Sequence, residues 1–159
     1  MCSSDLHLIL RTSWVHAARG GNFARTMLRL AAERDELRVI ADQIGAPTGA
    51  DLLADVTAHA LRALVQQPQL AGLYHCTAAG ETNWAAYARF VLTQAQRQGL
   101  PLQAGPQQVQ GIPSSSYPTA AQRPLNSRLD CHKLQQAFGL SLPYWQHGVA
   151  RMLTEIGQK

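Results

Sequence analysis

Residues 6–23 have the sequence LHLILRTSWVHAARGGNF, in which an apolar run is followed by polar residues and then by two glycines. The apolar run predicts a buried strand whose C-terminal end leads into a loop. After the glycines, Asn22 is placed to cap a helix, because apolar residues recur with helical period from Phe23 to about Arg34. A buried strand followed by a helix indicates an α/β fold.

The same alternation continues along the chain. Thr48 and Asp51 have the spacing of a capping box at the start of a second helix. Residues 100–124 contain five prolines and three consecutive serines, so this region is predicted to be mostly loop. The other predicted elements are a strand at 37–40, a helix at about 50–66, a strand at 72–77, a helix capped by Thr82 and ending near Gly99, a short strand near 107–112, a helix capped by Asp130 and ended by Gly139, and a last helix opening near Pro143.

The domain organisation is expected to be that of one compact unit that is incomplete by itself. A chain of 159 residues has the length of one domain. Its first strand is so apolar that it needs neighbours on both sides, and the three or four strands predicted would leave an edge exposed. We therefore expect residues 6–159 to be the C-terminal half of a larger fold whose N-terminal half is missing, and residues 1–5 to be a non-native or disordered lead-in.

Composition and charge narrow the class of protein. No run approaches the roughly 18 apolar residues of a membrane span, and the first residues do not resemble a signal peptide, so a cytoplasmic protein is expected. The net charge of +4 comes from dispersed arginines, which argues against nucleic-acid binding and is compatible with a small anionic substrate. Three cysteines without CxxC spacing indicate neither a disulfide framework nor a zinc site.

Self-contained catalytic motifs do not occur in the sequence. It has no GxGxxG, GxxxxGK[ST], HExxH or GxSxG, and YxxxK is absent because the two lysines, Lys133 and Lys159, follow Leu129 and Glu155 at that spacing. The polar and aromatic residues after the first strand remain, and ligands of open α/β sheets bind beyond the carboxyl ends of strands. Trp14 is thus either a flat wall for a sugar or nicotinamide ring or a core tryptophan beside a turn.

Seven segments resemble one family in the same order along the chain. They are LRTSWVH (10–16), NFARTMLRLA (22–31), DQIGAPT (42–48), GLYH (72–75), YPT (117–119), RPLNSRLD (123–130) and LPYW (142–145). On these segments the chain is similar to the dTDP-4-dehydrorhamnose reductases, which are extended short-chain dehydrogenases/reductases, over essentially all of its length after residue 6. The resemblance implies the C-terminal part of a Rossmann-type NAD(P)-binding fold together with a smaller substrate-binding subdomain.

The resemblance implies reduction of dTDP-4-dehydro-L-rhamnose to dTDP-L-rhamnose, a step in cell-surface polysaccharide synthesis, with NADPH as cofactor and NADH as the alternative. In this family a Tyr protonates the carbonyl oxygen, a Lys lowers the pKa of that Tyr, and a Thr or Ser polarises the carbonyl. All three precede the part that this chain matches, so we expect the chain alone to be inactive. A noncatalytic binding subunit of the same superfamily is the alternative, and an epimerase or dehydratase fits the DQIGAPT and RPLNSRLD segments less well.

Site residues carried over from the family fall into two groups. Thr12 and Ser13 are expected at the cofactor, and His16 stands where the family usually has Tyr, so a role for position 16 is not carried over. Arg123 could offer a planar fork to the substrate diphosphate or could form a surface salt bridge. The residues expected at the dTDP-sugar substrate are Trp14, Asn22, Phe23, Gln43 and Arg123.

Two acidic residues match a metal site of some bacterial members. These members dimerise through Mg²⁺ held by glutamates, and Asp51 and Glu155 lie at two of the matching positions. Hard cations favour carboxylates, but Asp51 is equally explained as a first-turn residue of the second predicted helix. The resemblance thus implies Mg²⁺ at the interface of a homodimer of the full-length protein.

Overall fold

The structure, a computed structural model, describes residues 6–117 and 123–157 and is an α/β fold in which strands and helices alternate. The five predicted helices are all present, and residues 1–5, predicted to be a lead-in, lie outside the described residues. The helices are α1 (Phe23–Glu33), α2 (Ala50–Gln66), α3 (Trp84–Arg97), α4 (His132–Phe138) and α5 (Trp145–Gly157). The strands are β1 (Leu8–Arg11), β2 (Val15–His16), β3 (Leu37–Ile40), β4 (Ile44–Gly45), β5 (Thr48–Gly49), β6 (Gly72–His75), β7 (Thr82–Asn83) and β8 (Val109–Ile112).

The strands pair two by two within the described residues. Parallel pairs are formed by β1 with β6, β2 with β5 and β3 with β8, whereas β4 and β7 are antiparallel. The register of the first pair runs from Leu8 opposite Gly72 to Arg11 opposite His75. Because the longer pairs are parallel, their carboxyl ends lie together, and the loops that follow β1, β3 and β8 carry the residues of interest.

Two groups of buried side chains hold the elements together. The larger lies between α1, α3, α5, β3 and β8 and includes Ala88, Val91 and Val149, which are fully buried. The smaller joins α2, α4 and β6 through Ala60, Leu134 and other apolar residues. Burial of a stripe along each helix explains why the helical period could be recognised in the sequence. None of the helices in the described part is long and apolar enough to cross a bilayer.

The first strand is less buried than its apolar sequence predicts. Leu8 and Leu10 pack against the smaller core, but Ile9 is 49% exposed and Arg11 is also exposed. Within the described residues β1 pairs only with β6, so one of its faces and one of its edges have no cover. The prediction of a buried strand is therefore wrong for this set of residues, because burial on both faces needs a second layer.

Three helix caps also differ from the prediction. Thr48 is not a cap residue, since α2 begins after Gly49 and the Thr48 hydroxyl instead contacts Ala46 and Ala78. Asn83 caps α3 in place of Thr82, and its Oδ1 accepts a hydrogen bond from Ala86 N at 2.8 Å. Cys131 is the residue before α4, although Asp130 still accepts a bond from His132 N. Amide and carboxylate oxygens reach these free N–H groups at several offsets, which spacing alone does not resolve.

Candidate functional site

A stack of two tryptophans lies just beyond the end of β1. The rings of Trp14 and Trp84 are 3.7 Å apart between centroids and 14° from parallel. Trp14 has a φ of +49°, in the left-handed region that side chains other than glycine rarely adopt. Its ring is half-buried, so Trp14 packs partly like a core tryptophan and also has surface in contact with solvent. The role of Trp14 as a wall for a sugar or nicotinamide ring stays a prediction.

Phe23, Trp84 and Tyr87 continue the stack into the core. The Phe23 ring lies 4.6 Å from Trp84 and 5.1 Å from Tyr87, centroid to centroid. Burial raises the pKa of the Tyr87 phenol far above its ordinary value, and no described residue hydrogen bonds to its oxygen. Trp14, Phe23, Trp84 and Tyr87 are called the aromatic cluster below. Two of its members, Trp14 and Phe23, are among the predicted substrate residues.

Gly45 makes room for the Trp14 ring. A Cβ atom at Gly45 would lie 2.7 Å from Trp14 Cε2 and 2.9 Å from Cζ2. Contacts that short do not occur between real carbon atoms, so a side chain here would displace the indole. The glycine of the DQIGAPT segment is thus required by the close approach of the Trp14 ring rather than by a turn.

The amide of Gln43 joins the aromatic cluster to an open groove. Gln43 is buried, and its Oε1 accepts a hydrogen bond from Trp84 Nε1 at 3.2 Å. Gln43 also lines a groove of about 380 Å³ together with Tyr117, Arg123 and others. No described residue forms an ion pair with Arg123, so the alternative of a surface salt bridge finds no partner in residues 6–117 and 123–157.

Asp42 fixes the wall of this groove. Its carboxylate accepts hydrogen bonds from Ser114 N at 3.0 and 2.9 Å and from Ser114 Oγ at 2.9 Å. The backbone bond from Ser114 holds the pKa of Asp42 below its usual value, because it stabilises the charged form. The loop after β3 and the loop after β8 are thereby tied together next to Gln43.

Ser13 and Thr12 lie between β1 and Trp14, where the family resemblance predicts the cofactor. The Ser13 hydroxyl is buried, and no described residue hydrogen bonds to it. A buried polar atom without a partner normally has one supplied by a ligand, water or another chain segment. Ser13 therefore fits contact with a polar group of NADPH, and the exposed Thr12 beside it is accessible to the same group.

The side chain of Asn22 forms hydrogen bonds with two backbone groups. Its Oδ1 accepts a hydrogen bond from Arg25 N at 3.0 Å, and its Nδ2 donates to Ala17 O at 2.6 Å. The capping role predicted for this residue is confirmed. Its predicted contact with substrate would have to share an amide that already closes the loop before α1.

The two predicted metal ligands meet at an arginine. Arg151 on α5 lies 3.2 Å from the Asp51 carboxylate and 3.4 Å from that of Glu155. Among the described residues no group of three His, Cys, Asp or Glu side chains could hold a metal ion. As placed, the pair does not fit Mg²⁺ by itself, because Arg151 already pairs with both carboxylates and the described residues offer no third ligand. Asp51, Arg151 and Glu155 are called the charged cluster below.

His16 borders the charged cluster but takes no part in its ion pairs. It is 5% exposed, and neither ring nitrogen has a hydrogen-bond partner among the residues that the structure describes. Burial lowers the pKa of His16, and the nearby Asp51 carboxylate opposes this shift. The ring lies over Gly49 and Gly148, away from the aromatic cluster.

Trp14, Phe23 and Gln43 could be predicted as site residues from the sequence, but Trp84 could not. Trp84 fell inside the predicted helix that ends near Gly99, and Gly45 and Asp42 inside the DQIGAPT segment. The signal that could have marked Trp84 is an aromatic residue at the first position of a helix that follows a capping asparagine. Gly45 and Asp42 carry no such local signal, because each acts on a residue far away in sequence.

Parallel strand pairs with polar and aromatic residues beyond their carboxyl ends define the substrate-side part of an α/β nucleotide-binding fold. Comparison with known proteins gives the particular family. The chain belongs to the family described as RmlD substrate binding domain, whose model matches residues 2–158.

Relatives and solved structures agree with this assignment. The chain is 57% identical over 150 residues to the dTDP-4-dehydrorhamnose reductase of Escherichia coli K12, covering 94% of this chain and 50% of that protein. It is similar to a structure titled dTDP-4-dehydrorhamnose reductase from Bacillus anthracis in complex with NADP, with a TM-score of 0.76, 32% identity, and coverage of 93% and 48%. It is also similar to a structure of a dTDP-4-dehydrorhamnose reductase ortholog from Clostridium acetobutylicum, with a TM-score of 0.78 and 26% identity. That match covers 92% of this chain and 48% of the other. The chain spans about half the length of the curated relatives it matches.

Proposed function

We propose that these residues form the substrate-binding half of an NADPH-dependent dTDP-4-dehydrorhamnose reductase, which converts dTDP-4-dehydro-L-rhamnose to dTDP-L-rhamnose. The observation that carries the proposal is the 57% identity to the E. coli reductase over 94% of this chain. The NADP complex of the B. anthracis protein supports the choice of cofactor. Because the relatives are about twice as long, the proposal concerns the whole protein rather than these residues alone.

In this proposal the substrate lies across the aromatic cluster and the groove. The half-buried Trp14 ring packs against the deoxysugar, and Phe23 supports it from behind through Trp84. Gln43 offers its amide, and the guanidinium of Arg123 pairs with the diphosphate in the groove that both residues line. Asn22 contributes by holding the loop that carries residues 17–21 in place.

The cofactor is proposed to approach Thr12 and Ser13. When bound, NADPH supplies the hydride that reduces the 4-keto carbon. The residues of this chain then orient the reacting groups, since Ser13 has an unused hydroxyl and Trp14 covers one side of the site. The YxxxK pair is absent from the 159 residues, so the proposal assigns proton transfer to sequence outside them.

Mg²⁺ and a homodimer of the full-length protein stay predictions. Support for the metal is limited to Asp51 and Glu155 lying in one cluster, where Arg151 now pairs with both. The alternative function, a noncatalytic nucleotide-sugar or NADP-binding subunit, also stays a prediction. The family's YxxxK pair precedes the part that this chain matches, so its absence from these 159 residues favours neither function.

The test is a chimera that joins the upstream half of the E. coli reductase to residues 6–159, which are 57% identical to the part they replace. Oxidation of NADPH by this chimera is measured with dTDP-4-dehydrorhamnose, with NADH compared in parallel. We expect turnover that is lost when the Tyr of the upstream YxxxK is changed to Phe. A folded chimera without any turnover would contradict the proposal that residues 6–159 form the substrate-binding half of this reductase.

A further inference from the structure

From its contacts, we infer that Trp84 is a positioning residue that sets the orientation of both Trp14 and Gln43 toward the substrate. The inference rests on the proposed function, because it concerns the same site. It assigns to the first residue of α3 a role distinct from packing the core.

Trp84 contacts three of the five predicted substrate residues. Its ring stacks on Trp14 at 3.7 Å and lies 4.6 Å from Phe23, and its Nε1 donates a hydrogen bond to Gln43 Oε1 at 3.2 Å. Trp14, Phe23 and Gln43 belong to separate loops and helices, after β1, at the start of α1 and after β3. A single indole therefore fixes the relative positions of three elements that meet at the site.

The orientation of Trp14 depends on this stack. A bulky residue at φ +49° is in a region that the backbone disfavours, and such conformations persist only where the surroundings impose them. Gly45 limits one edge of the Trp14 ring, whereas Trp84 covers its face. Without the Trp84 ring, the indole of Trp14 has space to rotate into other rotamers.

The polar contact of Trp84 separates it from the core residues of the same helix. Ala88, Val91 and Ala95 on α3 are fully buried and apolar, whereas Trp84 is half-buried and uses its N–H on a buried amide. The bond occupies Gln43 Oε1, so Trp84 determines which end of the Gln43 amide faces away from the cluster. The orientation of the amide matters for recognition, because Oε1 accepts hydrogen bonds and Nε2 donates them.

The stack is tested first in the chimera with the E. coli upstream half, by near-ultraviolet and far-ultraviolet circular dichroism of the parent and its variants. Two indoles 3.7 Å apart couple their transitions, so an exciton couplet is expected that disappears in both Trp84→Phe and Trp14→Phe. Trp145→Phe is the matched control and should keep the couplet, since Trp145 packs against Tyr87 and Phe90 instead. A couplet that persists in Trp84→Phe would show that Trp14 and Trp84 are not stacked, and the inference would be wrong.

The positioning role is tested in the chimera with the E. coli upstream half. Trp84→Phe keeps an aromatic ring but removes the N–H, and we expect the KM for the dTDP-sugar to rise about threefold to tenfold, as for one lost neutral hydrogen bond. Gln43→Leu should raise KM similarly, and the double variant should be little worse than either alone, because the two residues act through one contact. Phe90→Leu, an aromatic residue of the same helix outside the cluster, should leave KM unchanged.

The outcomes separate this inference from the proposed function. If the unaltered chimera folds but has no activity, the proposed function fails, and the circular dichroism still decides whether the stack exists. If the unaltered chimera is active and Trp84→Phe has the same KM, or if the effects of Trp84→Phe and Gln43→Leu multiply, the positioning role is wrong.

Discussion

The aromatic cluster and the charged cluster hold their residues by opposite means. In the first, Trp14 and Trp84 are stacked, Phe23 packs against Trp84 at a tilt, and all three are half-buried. Trp84 also donates a hydrogen bond to the buried amide of Gln43. In the second, Arg151 pairs with Asp51 and Glu155 on the surface, where 64% of its side chain is exposed. The aromatic contacts exclude water, whereas the ion pairs remain in it.

The difference between buried ring contacts and exposed ion pairs indicates which of the predicted site residues are held in a fixed position. Stacked rings that bury apolar area add about 0.5–1.5 kcal/mol per pair beyond the burial itself. Exposed ion pairs typically add only about 0.2–1 kcal/mol and are weakened by salt. The residues of the aromatic cluster are therefore preorganised, and the two carboxylates of the charged cluster are free to exchange partners at little cost.

The largest effect is expected from Gly45→Ala. The new Cβ would lie 2.7 Å from the Trp14 ring, so the indole has to move and the stack is disturbed. We expect the free energy of unfolding to fall by about 1–3 kcal/mol, as for overpacking in other cores. Urea unfolding measures it, with Gly21→Ala as control because a Cβ there meets no described atom within 4 Å. Equal stability of the two variants would show that the Trp14 ring is not confined.

Trp14→Ala should lower kcat/KM of the chimera by tenfold or more, which corresponds to about 1.4 kcal/mol. The reason is loss of the ring that covers the proposed sugar position. Trp14→Phe, which restores a smaller ring, should recover part of the loss. Steady-state kinetics with both variants is the measurement, and unchanged kinetics for Trp14→Ala would return this residue to a purely structural role.

Asp42→Asn should make the free energy of unfolding less dependent on pH in the acidic range. The pKa of Asp42 is lowered in the folded state, so the unfolded state binds a proton more readily. The stabilisation is complete above the ordinary carboxyl pKa and is lost as the pH falls through the lowered folded value. We expect the unfolding free energies of the variant and the parent to differ at pH 7 and to converge toward pH 3.

Urea titrations at several pH values measure this convergence. Asp35→Asn, at an exposed position between α1 and β3, is the matched control. A constant difference between parent and Asp42→Asn down to pH 3 would contradict the role of the charged carboxylate in holding Ser114.

The smallest effect is expected in the charged cluster. Arg151→Gln removes two exposed ion pairs and should cost at most about 1 kcal/mol, with the loss vanishing at high salt. Arg29→Gln, which removes the exposed pair with Glu33 on α1, is the control. A much larger loss for Arg151→Gln, or one that persists at high salt, would mean that this cluster is as well fixed as the aromatic one.

The helices could be predicted from the sequence because their signals are local. The apolar period of α1 and the Asn22 cap lie within a dozen residues, and both are confirmed. Two-residue strands such as β2 and β4 are too short for any periodicity and form only when distant segments pair. The exposure of Ile9 was mispredicted for the same reason. An apolar sequence indicates that a strand favours burial, but it does not show which segment packs against that strand.

Only those site residues that lie in the family motifs could be predicted from the sequence. Trp14, Phe23 and Gln43 were predicted one by one, but their shared neighbour Trp84 lies 41 positions beyond Gln43. The contact of Asp51 with Arg151 spans 100 positions and was likewise invisible to spacing arguments. Contacts between distant residues depend on the packing of whole elements, which the local sequence does not encode.

The uncovered edge of β1 bears on how these residues behave in concentrated solution. Leu6, Ile9 and Val15 are each close to half exposed, and the backbone on one side of β1 has no strand partner among the described residues. Such an edge accepts a strand from another molecule, so the isolated chain should self-associate as its concentration rises. Ile9→Lys would discourage this self-association without changing a residue of the aromatic cluster.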